Sequence, residues 1–116
     1  MVPTIVLKDG KPFLVLGAPG GSRIITAVLE VILNVIDFGM NIQDAGEAPR
    51  FRHTEQGLAL ESAFSADARA GLTSRGHRLI QSNGVWGGFQ GIMIDPRTHV
   101  LMAGSDPRKD GMAAGW

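Results

Sequence analysis

The apolar run from Ile24 to Phe38 limits what this chain can fold into more than any other feature, because it follows directly on a glycine turn, Gly17-Ala18-Pro19-Gly20-Gly21-Ser22-Arg23. Its polar residues, counted from Arg23, are Thr26, Glu30, Asn34 and Asp37, at intervals of three or four. That is one narrow stripe on the 3.6-residue helical period. A helix so apolar around its circumference needs partners on more than one side. Ser22 is placed to cap its start and Gly39 to end it as a C′ residue. Glycine leaves backbone N–H groups unshielded, and the first N–H groups of a helix have no partner within it. Where the two meet, negative charge is favoured, as a bound anion or as an oxyanion formed in a reaction. A strand-to-helix turn holding no ligand explains the same pattern.

The chain has 116 residues, room for one domain or part of one. Its 11 basic and 11 acidic residues balance, without the clustered basic excess of a phosphate-binding protein. Arg50, Arg52 and His53 lie between Glu47 and Glu55 and read as a solvated edge. With no cysteine, disulfides, thiolate catalysis and cysteine-held zinc are excluded. Met1-Val2-Pro3-Thr4 has no basic n-region followed by an apolar h-region, so no signal peptide is read in this chain. The Ile24–Phe38 segment is too short and too polar to span a bilayer.

Two apolar runs, Thr4–Leu7 and Phe13–Leu16, flank Lys8-Asp9-Gly10-Lys11 and predict a hairpin. Their near-continuous apolar character predicts strands covered on both faces, in the middle of a layered structure. Asn41 is placed to cap a short helix that Pro49 stops. Phe51–His53 and Leu58–Glu61 predict a second hairpin turned at Gln56-Gly57. Ser65 caps a helix over Ala66–Ser74, closed by Arg75-Gly76. Strands follow at His77–Gln81, Phe89–Ile94 and Val100–Ala103. The tail Gly111-Met112-Ala113-Ala114-Gly115-Trp116 is expected to fray unless Trp116 docks. The pattern is α+β with antiparallel pairing, and it reads as the inner layer of something larger.

Few constellations carry chemistry. The glycine turn lacks the lysine and spacing of a phosphate-binding P-loop, and no acidic ribose partner follows it. His53, His77 and His99 show no metal-ligand spacing. Glu61 with Ser62, or Ser22 with His53 and an aspartate, could be drawn as a triad, but nothing in the spacing supports one. Within Ser105-Asp106-Pro107-Arg108, Asp106 is suited to cap backbone N–H groups and Arg108 to pair with a carboxylate.

Several segments carry a resemblance. Pro3-Thr4-Ile5-Val6, Gly17 to Thr26, Asn34 to Asn41, Ala48-Pro49-Arg50-Phe51, Gly104 to Arg108 and Ala114-Gly115-Trp116 closely resemble the gamma-glutamyltranspeptidase family over essentially the whole chain. The resemblance implies part of an N-terminal-nucleophile hydrolase with a four-layer αββα sandwich. Residues 1–116 would be a single incomplete domain, the C-terminal portion of a small subunit. In the family, a self-cleaved precursor frees an N-terminal threonine that attacks the gamma-glutamyl amide of glutathione, with its own α-amine available as base. Gly20 and Gly21 match the glycine pair that forms the oxyanion hole and so contacts the substrate. Ser22 and Arg23 match as structural residues, while Asp37 and Arg50 match without an assigned role. The nucleophile and the Ser-Ser pair that binds substrate lie upstream of Met1, and the large subunit supplies an arginine. Thr4 is an interior strand residue and cannot be that nucleophile.

The implied partners are the remainder of the small subunit and the large subunit, with a gamma-glutamyl substrate only in the complete enzyme. No metal, cofactor or nucleic acid is implied. Family members are usually periplasmic or extracellular. The chain alone is expected to be inactive. The alternatives are a fragment of a related acylase and a non-catalytic module that self-associates into a homo-oligomer.

Overall fold

A computed structural model describes residues 3–82 and 84–115. The strands are β1 (Thr4–Lys8), β2 (Lys11–Gly17), β3 (Phe51–Thr54), β4 (Gly57–Leu60), β5 (Leu79–Ile80), β6 (Gln90–Ile94) and β7 (Leu101–Ser105). The helices are α1 (Ile24–Ile36), α2 (Ile42–Glu47) and α3 (Ala66–Ser74). The chain divides into two compact units, one made of the segments before Pro49 and after Val85, the other spanning Pro49–Val85.

In the first unit, Asp9 and Gly10 both take positive φ, 52° and 76°, the geometry that matches a two-residue turn to the twist of its strands. They join β1 to β2 with Thr4 opposite Leu16 and a register shift between Val6 and Leu7. The sheet runs β1-β2-β6-β7, all antiparallel. Leu14 and Leu16 share a face by the two-residue period of a strand. They join Val31, Val35, Ile42, Ala45 and Phe89 in one buried core. Helices α1 and α2 cover that face.

The opposite face is open: Ile5, Ile92 and Leu101 are exposed. The hairpin is thus at a sheet edge and covered on one side within this chain, not on both as expected.

Helix α1 likewise has only part of its apolar circumference covered within this chain. Its solvent-facing side is apolar, with Ile25 77% exposed and Leu29, Leu33 and Ile36 also exposed. The polar stripe lies on the flank. Glu30 is buried there and Asn34 Nδ2 donates to Ala45 O of α2 at 3.3 Å. Ser22 does not cap α1. A 3₁₀ turn over Gly21–Arg23 intervenes, Arg23 takes the cap position, and no side chain bonds there. The helix ends at Ile36, so Gly39 lies beyond the C′ position. With φ +66° it lets the Met40 N–H reach Asn34 O at 3.0 Å. Asn41 caps α2 as its type predicts, accepting from the Asp44 N–H at 2.9 Å.

Helix α2 sits so close to Phe89 that a Cβ on Gly46 would fall 2.5 Å from the ring. Gly46→Ala is therefore expected to destabilise the fold by about 1–3 kcal/mol through overpacking. Chemical denaturation of the variant checks this, and an unchanged midpoint would refute the close approach.

At the β6–β7 connection, the Thr98 and Arg97 amides donate to Asp95 Oδ1 at 3.0 and 2.7 Å. They hold its carboxyl below the ordinary value of 3.8. A carboxyl depressed on folding stabilises this turn above its unfolded value and ceases to as pH falls through the folded one. Hydrogen exchange at Arg97 and Thr98 is expected to lose protection only on acidification below pH 3.8. Loss near neutrality would contradict the assignment.

In the second unit, β3 and β4 form the expected hairpin, with Glu55-Gln56 as the turn and Gly57 opening β4. Ser65 Oγ accepts from the Ala68 N–H at 3.1 Å. The C-terminus of α3 closes with Gly76 N–H to Thr73 O at 2.9 Å and His77 N–H to Leu72 O at 3.1 Å, a Schellman motif. Strand β5 is shorter than the expected His77–Gln81, and it pairs with β4 in parallel, not antiparallel. The α3 crossover brings the chain back in the same direction.

Arg50 overturns the solvated-edge reading. It is 2% exposed, and its N–H donates to Glu61 Oε2 at 2.9 Å while its carbonyl accepts from the Glu61 N–H at 2.9 Å. Charge balance along the sequence cannot reveal a partner eleven residues away that is itself buried.

Candidate functional site: the glycine pair at the head of α1

Strand β2 ends at Gly17, and Ala18 is fully buried, so the turn leaves the sheet from a fixed point. Gly20 then adopts φ +135° and ψ 16°, and Gly21 φ +62°. L side chains avoid this region, and no Cβ-bearing residue takes the Gly20 geometry without strain. The carbonyl of Gly20 accepts from the Arg23 N–H at 3.2 Å and that of Gly21 from the Ile24 N–H. The N–H groups of Gly20 and Gly21 have no acceptor among the described residues, and both glycines are exposed. Two adjacent donors therefore stand free just ahead of α1, whose positive dipole end adds to their attraction for negative charge.

Two grooves are lined in part by residues of this turn. One, of about 440 Å³, is lined by Val15, Gly17, Pro19, Gly88, Gln90 and Lys109 among others. The second, of about 470 Å³, runs along the exposed side of α1 past Thr4, Gly21, Ile25 and Leu29. Thr4 shares this groove with Gly21, but its nitrogen lies within a peptide bond of β1 and cannot act as a free amine.

The other candidate residues lie apart from the turn chemistry. Ser22 and Arg23 are exposed in the 3₁₀ turn. Asp37 caps the C-terminus of α1. His53, His77 and His99 are all exposed, and no group of three potential metal ligands forms among the described residues. Glu61 is buried against the Arg50 backbone, while Ser62 is exposed. No helix among the described residues is long and apolar enough to cross a membrane. Trp116 lies outside the described residues.

Asp106 and Arg108 perform the roles their turn suggested. Asp106 is fully buried and accepts from the Phe89 N–H at 3.1 Å and the Arg108 N–H at 2.9 Å. The Arg108 guanidinium pairs with Asp106 Oδ1 at 3.1 Å. It also donates to the carbonyls of Gly46, Glu47 and Ala48 at 3.0–3.2 Å. These carbonyls at the end of α2 have no partner within their own helix, and one planar fork satisfies them together.

Sequence reasoning passed over Trp86-Gly87-Gly88 and read Phe89 only as the start of a strand that in fact begins at Gln90; all four residues are buried. The doubled glycine was the available signal.

This α+β arrangement, with paired N–H donors ahead of a helix beside an antiparallel sheet, superposes on solved gamma-glutamyltranspeptidases, which have the N-terminal-nucleophile hydrolase fold. The solved Helicobacter pylori gamma-glutamyltranspeptidase T380A mutant superposes with a TM-score of 0.84 at 46% identity, over 94% of this chain and 61% of that one. A cephalosporin acylase from Bacillus halodurans superposes at 0.88 with 36% identity, over 98% of this chain and 22% of that one. The profile described as gamma-glutamyltranspeptidase matches residues 1–116. The chain belongs to the gamma-glutamyltranspeptidase family. It is 44% identical over 119 aligned positions to the glutathione hydrolase proenzyme of Escherichia coli strain K12, across 100% of this chain and 20% of that protein. It thus spans about a fifth of the length of this curated relative.

Proposed function

We propose that this chain supplies the oxyanion hole of a gamma-glutamyl acyltransferase whose nucleophile resides in another part of the protein. The observation that carries the reading is the pair of free N–H donors on Gly20 and Gly21. When a threonine hydroxyl adds to the gamma-glutamyl amide, the carbonyl oxygen takes up negative charge, and donors fixed in advance stabilise it without reorganising. The amine then leaves with a proton, and the acyl group passes to water or to an amino acid. Donors of this kind neither make the nucleophile nor hold the substrate's α-amino and α-carboxylate groups. These duties fall to the remainder of the small subunit and the large subunit, so the 116-residue chain is inactive alone. In a protease stripped of its catalytic groups, oxyanion hole and binding together retain only about 10³–10⁴ over water, and here the binding groups are missing as well.

The test joins this chain to the upstream four-fifths of the Escherichia coli relative and assays a chromogenic gamma-glutamyl anilide. The joined protein is expected to turn over and the chain alone to show nothing. A folded, self-cleaved but inactive joined protein would sink the proposal, as would turnover by the chain alone that depends on Gly20 and Gly21.

The match to a cephalosporin acylase favours a second reading, in which the same donors serve a different acyl amide. Sequencing the coding region ahead of Met1 separates them: a Ser-Ser pair directly before it supports the gamma-glutamyl substrate. The exposed apolar side of α1 also suits self-association of the chain when it is separated from its partners. Size-exclusion chromatography with and without the upstream part tests this. An inactive oligomer that persists on mixing favours the association module over the enzyme fragment.

A further inference from the structure

We propose that Gly88 is a positioning residue for the Gly20–Gly21 pair, acting as a backbone stop against the ring of Pro19. The inference rests on the oxyanion-hole reading above. Gly88 is buried with φ +144°, and a Cβ built there would lie 2.8 Å from Pro19 Cγ and 3.2 Å from Pro19 Cδ. The proline ring therefore rests on the Gly88 α-carbon in space that only a hydrogen leaves open.

Gly88 cannot retreat, because the next residue is held from three sides. The Phe89 N–H donates to Asp106 Oδ2 at 3.1 Å, its carbonyl accepts from the Asp106 N–H at 2.9 Å, and its ring touches Gly46 and Gly91. Ring pucker moves Pro19 Cγ but leaves Cδ, also within 3.2 Å, bonded to the nitrogen, and the locked φ carries the remaining push to the carbonyl carbon, which is bonded to the Gly20 nitrogen. A displacement at Pro19 thus passes into the first of the two donors. The nearest neighbour of that added Cβ is Lys109 Cγ at 2.6 Å, the second carbon of an exposed side chain, which clears the space by rotation about χ1.

The geometry predicts a reversal of sign. In the joined enzyme, Gly88→Ala is expected to lower kcat by about 10–100-fold with little change in KM, because misplacement by about 1 Å costs about that much. Pro19→Ala alone is expected to lower kcat a few-fold, since it removes the ring from an undisturbed Gly88. In the Gly88→Ala background the same Pro19→Ala is expected to raise kcat, because it clears the collision. Gly76→Ala, strained at φ +88° with nothing within 4 Å of its Cβ, controls for backbone strain and is expected to leave kcat unchanged.

In the ¹⁵N-labelled chain, Gly88→Ala is expected to shift the Gly20 and Gly21 amide resonances, and Pro19→Ala to speed their hydrogen exchange. Unmoved resonances, or a double variant no faster than Gly88→Ala, would overturn the proposal. If Gly88→Ala prevents folding, Pro19→Ala carries the test, and unaltered Gly20 and Gly21 exchange would overturn it. Shifted resonances with unchanged kcat would leave the stop intact and sink the oxyanion reading instead.

Discussion

Gly20→Ala, made in the joined enzyme, is expected to lower kcat by about 10²–10³ while KM moves far less, the signature of losing a donor used only in the transition state. The Gly20 backbone, at φ +135° and ψ 16°, is closed to a residue with a Cβ. Space is not the obstacle: the nearest atom to an added Cβ is Arg23 Cβ at 3.5 Å, an ordinary contact. The residue must rotate instead, and its N–H rotates with it. Gly21 supplies an internal comparison. Its φ of +62° is left-handed helical, which asparagine tolerates better than alanine. Gly21→Asn is therefore expected to retain more activity than Gly21→Ala. Equal losses for the two would mean that side-chain bulk in the groove matters, not the direction of the N–H.

Removing the Asp106 carboxylate is expected to cost about 3–5 kcal/mol, the range for breaking a buried ion pair from one side. Asp106→Ala deprives the Phe89 and Arg108 amides of their acceptor and removes the carboxylate that pairs with the Arg108 guanidinium at 3.1 Å. Arg108 in turn holds three carbonyls at the end of α2. Asp106→Asn keeps one acceptor oxygen and is expected to lose less. Urea denaturation ranks the two, and a loss under about 1 kcal/mol for Asp106→Ala would show that the cluster is a surface ion pair in energetic terms.

What could be read in the sequence was what neighbours decide. Asp9-Gly10, Asn41, Ser65 and Arg75-Gly76 each act on backbone within a few residues, and each forms the turn or cap its chemistry predicts. The glycine turn was legible for the same reason, as a place where backbone N–H groups lie unshielded. Other features were decided at a distance. Arg50 reads as solvated because Glu47 and Glu55 are near in sequence, but its carbonyl and N–H pair with Glu61. The apolar circumference of α1 reads as covered by partners on more than one side, beside one narrow polar stripe. In the chain, Asn34 reaches α2, and the solvent side carries Ile25 and Leu29. Strand β5 reads as antiparallel because most strands here come in hairpins, while α3 carries the chain back for a parallel pair. The role of Gly88 depends on Pro19, far away along the chain, and no local rule reports it.

The Arg108 fork also sets an order of events during synthesis. Ala48 and Arg108 are 60 residues apart, so at about 5–20 residues per second the ribosome needs about 3–12 s to make the second after the first. Throughout that interval α2 has been made but its last carbonyls await their cap, and Phe89 awaits the carboxylate that fixes it. Closing so long a loop comes late in folding for entropic reasons too. The nascent chain thus passes through a stage in which the glycine turn has been made but the Asp106 anchor of Phe89 has not.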